Sequence, residues 1–102
     1  MEIETLEGKT YRIHVKGTIS SIEDSDRIIE TMKNAIEQDP EVEIDLIIED
    51  SYIMLSRLIG NLLKLIKKDG KKVSLYAGEN NLISLLSKLG LQEVFNVQKF
   101  VK

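Results

Sequence analysis

The segment from Val42 to Ser51 constrains the fold more than any other part of the chain. Its first half alternates apolar and acidic residues, which is typical of a β-strand with one face in the core. It ends in Glu49, Asp50 and Ser51, and an apolar stretch with helical spacing follows directly. Strands that alternate with helices are the repeating units of α/β folds. The segment therefore predicts an α/β domain with polar residues at a junction between strand and helix.

The same alternation predicts the other strands of the sheet. Residues 10–16 and 72–77 both place apolar side chains at every second position, and weaker strands are expected at residues 3–6 and 97–101. Strands covered on both faces would be apolar throughout. We therefore expect a mixed sheet with helices mainly on one face.

Three amphipathic segments predict helices between these strands. The first runs from residue 24 or 25 to residue 38, before Asp39-Pro40. The second begins at Asp50 or Ser51 and ends at Asp69-Gly70, where glycine suits the left-handed residue after a helix. The third begins at residue 80 or 81 and ends at residue 90. Residues 1–102 are thus predicted to form one domain in the order ββαβαβαβ.

Composition excludes several classes of function. The formal net charge is -3, whereas nucleic-acid binding depends on lysine and arginine that neutralise phosphates. The chain has no cysteine, which removes thiolate metal sites and cysteine nucleophiles. Arg57, Asn61 and Lys64 interrupt the longest apolar stretch, and the acidic amino terminus differs from a secretory signal. We expect a cytoplasmic protein that neither binds nucleic acid nor inserts directly into a membrane.

No motif in the sequence predicts catalysis. His14 is the only histidine and lies between Arg12 and Lys16 on the polar face of its strand, where a solvated side chain is expected. Glu43 and Asp45 share the polar face of the next strand, and nothing around them indicates a cleft for acid–base chemistry. We therefore expect no enzyme activity, no cofactor and no metal site.

Four segments of the chain share the pattern of one known family, namely Tyr11–Gly17, Ile44–Leu46, Lys67–Val73 and Leu89–Val97. They resemble the STAS family, the domain shared by bacterial anti-sigma factor antagonists and the cytoplasmic tails of sulfate transporters. Tyr11–Gly17 resembles the strand and glycine before the first helix of the family, and Ile44–Leu46 resembles its central strand. Lys67–Val73 resembles the turn from its second helix to the next strand, and Leu89–Val97 resembles its closing segment. The resemblance spans nearly the whole chain and implies a regulatory domain with a STAS-like fold.

Asp50 and Ser51 fall at the regulatory motif of that family. In phosphorylatable members, the motif Asp-Ser-Ser/Thr-Gly opens the second helix, and a partner kinase phosphorylates its first serine. Asp50-Ser51 matches the first two positions, whereas Tyr52-Ile53 replaces the small hydroxyl residue and the glycine. The resemblance implies phosphorylation at Ser51 in a degenerate motif. The residues themselves leave three roles open, namely a structural cap of the second helix, a phosphorylated switch and another anion-binding use.

An apolar stretch beside Ser51 predicts a surface for a protein partner. Aromatic residues and methionine are enriched at interface centres, although these side chains can equally belong to the edge of the core. The STAS resemblance implies a serine kinase or anti-sigma factor as the partner of a monomer or weak homodimer. The alternatives are an accessory subunit of a membrane transporter or larger assembly and, below it, a small-molecule or nucleotide-binding domain that uses helix amino ends as anion sites. The predicted partner-binding residues are Ser20, Asp50, Ser51, Tyr52, Ile53 and Met54.

Overall fold

The alternating segments form a five-stranded mixed sheet in the computed structural model, which describes residues 1–101. Within the sheet the strands follow chain order, and β1 is antiparallel to β2 while all later neighbours are parallel. The predicted mixed sheet with three helices is confirmed. The strands are β1 (Glu2–Leu6), β2 (Thr10–Lys16), β3 (Glu43–Ile48), β4 (Lys72–Ala77) and β5 (Gln98–Lys99).

The three helices pack against one face of this sheet. They are α1 (Ile22–Gln38), α2 (Ser56–Leu63) and α3 (Asn80–Lys88), and α2 continues into a π-helical turn at Lys64–Lys68. A single core cluster joins the buried side chains of the helices to those on one face of β2, β3 and β4. The opposite face, which we call the helix-free face, carries Arg12, His14, Asp45, Ile47 and Tyr76. No helix within residues 1–101 is long and apolar enough to cross a membrane.

The ends of α1 and β5 differ slightly from the sequence prediction. Helix α1 begins at Ile22 because Ser21 is its cap and the Ser21 hydroxyl accepts a hydrogen bond from the Asp24 amide at 3.1 Å. Strand β5 contains only two residues, so the predicted strand at residues 97–101 is longer than the observed one. Gly70 has a φ of +65°, in agreement with its expected role after the second helix.

The predicted start of the second helix is wrong. Helix α2 begins at Ser56, and residues 49–55 form an irregular loop. The residue at its cap position is Leu55, and no side chain of residues 1–101 makes a capping hydrogen bond there. Asp50 and Ser51 therefore do not cap α2, because their side chains bind backbone amides of another loop instead.

Candidate functional site

The predicted site residues gather at the edge of the sheet where the parallel strands β2, β3 and β4 end. The loops at residues 17–21, 49–55 and 78–79 leave the sheet at this edge. The fold thus brings Ser20 of the first loop to the same edge as Asp50 and Ser51 of the second. In open α/β sheets, ligands bind beyond the carboxyl ends of the strands, which is where these residues lie.

Asp50 joins the second of these loops to the first. Its Oδ1 atom accepts a hydrogen bond from the Gly17 amide at 2.6 Å. Gly17 has a φ of +93°, which L-residues with a side chain rarely adopt, so the chain can turn sharply at the end of β2. A hydrogen bond from an amide to a carboxylate is stronger than one between neutral groups. Asp50 thus stabilises the turn at Gly17.

Ser51 forms a second link between the same loops. Its side chain is fully buried, and its Oγ atom accepts a hydrogen bond from the Ile19 amide at 3.1 Å. The hydroxyl also donates to the Ile53 carbonyl at 2.9 Å. Ile19 is itself fully buried, so its amide has no access to solvent and depends on this acceptor. The hydroxyl of Ser51 is therefore occupied as both donor and acceptor.

The residues that follow Ser51 divide between the surface and the core. Tyr52 is 54% exposed and Ile53 is 36% exposed. Met54 lies in the core cluster instead, so it adds no apolar surface to the predicted interface. The neighbouring loop leads to Ile22, which is 58% exposed. We call Ile22, Tyr52 and Ile53 the loop-edge patch.

Ile22 is a surface residue that the sequence pattern does not indicate. It is the first residue of α1 and precedes the buried positions Ile28, Ile29 and Met32. Its spacing from Ile29 is seven residues, which places both on a similar side of an ideal helix and therefore favours burial. Ile22 is exposed in the structure although the pattern of its helix would allow it to face the core.

Ser20 lies on the surface beside the patch and helps to fix the start of α1. Its amide and its hydroxyl donate to the same oxygen of Asp24, at 3.1 Å and 3.4 Å. The hydrogen bond from the Ser20 amide, together with smaller contributions from neighbouring groups, lowers the pKa of Asp24. The carboxylate of Asp24 is thus stabilised in its charged form at the amino end of α1.

Gly78 fixes the third loop against the second. Its amide donates to the Ile48 carbonyl at 2.9 Å. A Cβ atom at this position would overlap the backbone carbonyl of Glu49, so only glycine fits without movement of the loop. The three loops at this edge are therefore held together by Asp50, Ser51 and Gly78.

His14 is more enclosed than the sequence analysis predicts. Its Nε2 atom lies 2.9 Å from Oε2 of Glu49, and its ring meets the ring of Phe100 edge-on at 5.4 Å between centroids. Nearby on the helix-free face, burial raises the pKa of Asp45, against the opposing effect of Arg12.

Within residues 1–101, no three side chains of histidine, cysteine, aspartate or glutamate are grouped to hold a metal ion.

A scan against protein-family models found no match, and a search of curated proteins found none either.

Proposed function

We propose that this chain is a non-catalytic protein-interaction module of the STAS type, which binds a protein partner through the loop-edge patch. The observation that carries the proposal is the exposure of Tyr52 and Ile53 directly after a fully buried serine. Large apolar side chains that remain in solvent on a structured loop are typical of interface centres. The resemblance of four chain segments to STAS proteins supports the same kind of function.

The hydrogen bonds below the patch favour tight recognition. Asp50 and Ser51 tie the loop of Tyr52 to the loop before α1, so the patch is fixed before a partner arrives. A preformed surface loses less conformational entropy on binding than a mobile one. Ser20 and Asp50 are exposed beside the patch and supply polar groups for its rim.

The partner proposed from the resemblance is a serine kinase or anti-sigma factor. Phosphorylation of Ser51 stays a prediction. The burial and the hydrogen bonds of its hydroxyl determine what a kinase would have to do to reach it. Because the hydroxyl is fully buried and hydrogen-bonded to Ile19 and Ile53, a kinase must first open the loop. We therefore favour constitutive binding over a phosphorylated switch. An accessory subunit of a membrane transporter or larger assembly would use the same patch with a different partner.

A photo-crosslinking amino acid in place of Tyr52 tests this function in the native cells. Leu89 is the matched control position, because it is 52% exposed and lies at the far end of α3. We expect one discrete protein adduct at position 52 and none at position 89, and mass spectrometry of the adduct distinguishes a kinase from a transporter subunit. The double substitution Tyr52→Ser with Ile53→Ser should abolish binding of the identified partner, whereas Leu89→Ser should not. Equal adducts at both positions would contradict the proposal.

A further inference from the structure

The helix-free face of the sheet contains a recess that the proposed partner surface does not use. Its volume is about 350 Å³, within the range of small-molecule sites. It lies between β1, β2 and β3 and the segment after β5, and Leu6, Arg12, Ile47 and Phe100 line it. The recess therefore combines apolar side chains with an arginine.

Three of the seven residues that line the recess are apolar, namely Leu6, Ile47 and Phe100, and the other four are Glu4, Thr5, Arg12 and His14. Ile47 is only 7% exposed although it lies outside the core cluster and on the face that no helix covers. Leu6 lies directly opposite Arg12 in the pairing of β1 with β2, and it is 65% exposed. An apolar ligand in this recess would remove Leu6 from solvent, which is a favourable contribution to binding.

The aromatic wall of the recess is fixed in place by the carboxyl-terminal strand. The amide of Phe100 donates to the Ala77 carbonyl at 2.9 Å. The preceding residue, Lys99, donates from Nζ to the Gly78 carbonyl at 2.7 Å and to Oδ1 of Asn80 at 3.0 Å. These bonds fix the backbone of this segment, and the Phe100 ring contacts His14 edge-on.

Arg12 provides a cation at the recess that is weakly engaged by the protein. Its Nε atom lies 3.9 Å from Oδ2 of Asp45, which is longer than a hydrogen bond, and its side chain is 59% exposed. Arg57, by contrast, donates from Nε to Asp26 at 2.5 Å. Glu4, an acidic residue that lines the recess, pairs with Lys16 at 3.3 Å. The forked donors of Arg12 thus remain available for a carboxylate.

We propose that the recess binds a medium-chain fatty carboxylate, whose charged group pairs with Arg12 and whose chain packs on Leu6, Ile47 and Phe100. The charge of Arg12 selects an anionic group, and its planar donor geometry suits a carboxylate. The apolar side chains favour a ligand with an unbranched or lightly branched hydrocarbon chain over a ligand with polar groups along its length. This ligand site is independent of the loop-edge patch and of its protein partner.

NMR titration of the full chain with sodium decanoate, below its micelle concentration, tests this site. We expect saturable shifts of amide signals at Leu6, Arg12, Ile47 and Phe100. Decan-1-ol keeps the chain but lacks the carboxylate, so it should bind about tenfold more weakly or worse, as expected when a charge-assisted hydrogen bond is lost. Shifts that do not saturate, or that cluster elsewhere, would overturn the proposal.

Two arginine variants separate the charge of Arg12 from a general effect of charge. Arg12→Gln should weaken decanoate binding about tenfold or more, whereas Arg57→Gln on the helix side should bind like the original chain. The spectra of both variants report directly whether the fold is kept. If Arg12→Gln binds decanoate as tightly as Arg57→Gln does, the recess is not a carboxylate site. A Tyr52→Ser variant should retain binding, which separates this site from the partner surface.

Discussion

The backbone amide of Ile19 donates a hydrogen bond to the hydroxyl of Ser51 over 3.1 Å, across 32 residues of sequence. Both residues are fully buried, so water cannot replace either partner if the bond is lost. The bond joins the loop after β2 to the loop after β3 and positions Tyr52 and Ile53 at the surface. The residue for which the STAS resemblance predicts phosphorylation is thus also a structural link at the proposed interface.

Replacement of Ser51 by alanine should lower the free energy of unfolding. The change leaves the buried Ile19 amide without its acceptor and the Ile53 carbonyl without its donor, at an expected cost of about 1–3 kcal/mol. Urea denaturation measures this change. Ser56→Ala is the matched control, because Ser56 is exposed at the start of α2, and it should change the unfolding free energy by less than about 0.5 kcal/mol. Equal effects of the two substitutions would contradict the structural role of Ser51.

Replacement of Ser25 by alanine should have the opposite effect. Ser25 is also fully buried, but its hydroxyl has no hydrogen-bond partner among residues 1–101. Removal of an unpaired buried hydroxyl, together with the higher helix propensity of alanine, should stabilise the protein by about 1 kcal/mol.

Ser84→Ala serves as the comparison for Ser25. Ser84 is exposed in α3, so this change reports helix propensity alone, at about 0.5 kcal/mol. Urea denaturation of both variants isolates the effect of burial. A loss of stability in Ser25→Ala would show that its hydroxyl has a partner in solution.

The start of α2 shows why the sequence could predict the elements but not the whole site. Serine and aspartate before an apolar stretch are the usual signal of a helix cap. The helix predicted for the apolar stretch is present, but it begins later than this signal indicates. In the structure the same oxygen atoms accept hydrogen bonds from Gly17 and Ile19 instead. These acceptors serve a loop that is distant in sequence, and local patterns carry no information about such pairing. The burial of Met54 has the same origin, because the extended loop directs its side chain into the core.

The recess on the helix-free face could not be predicted for a related reason. The polar alternation of β2 correctly places His14 away from the core, and it indicates nothing about what covers that face. Phe100 follows β5 at the far edge of the sheet, where its amide donates to the Ala77 carbonyl, and its ring contacts His14 on the helix-free face. The contact depends on the order of the strands, which becomes known only from the three-dimensional structure.

Replacement of Gly78 by alanine should be strongly destabilising. The added Cβ atom would overlap the Glu49 carbonyl, and this backbone neighbour cannot rotate away as a flexible side chain could. We expect a loss of at least about 2 kcal/mol, in the range of overpacked sites. Thermal or urea denaturation measures the loss.

Gly60→Ala provides the contrast to Gly78. Gly60 lies inside α2, and a Cβ atom there would meet nothing within 4 Å. The substitution should stabilise the protein by about 0.5–1 kcal/mol, because alanine has the higher helix propensity. If Gly78→Ala proves as stable as Gly60→Ala, the close approach of the two loops does not exist in solution.

Asp24→Asn should lower stability at neutral pH. The hydrogen bond from the Ser20 amide lowers the pKa of Asp24 in the folded state below its usual value of 3.8. A lowered carboxyl pKa contributes stability above the unfolded value, and this contribution is lost as the pH falls through the folded pKa. The difference between the variant and the original chain should therefore shrink below pH 3.8, as measured by denaturation at several pH values.

Asp45→Asn should show the opposite dependence on pH. Burial raises the pKa of Asp45 above 3.8, while Arg12 opposes this shift. The folded state therefore binds the proton more tightly than the unfolded state, and stability falls as the pH rises from 3.8 through the folded pKa. Asparagine carries no charge, so the variant should be more stable than the original chain at neutral pH and should lose this advantage in acid. Denaturation of both proteins at neutral and at acidic pH measures the difference in their free energies of unfolding. A variant that is less stable at neutral pH would show that the attraction between Arg12 and Asp45 outweighs the cost of burial.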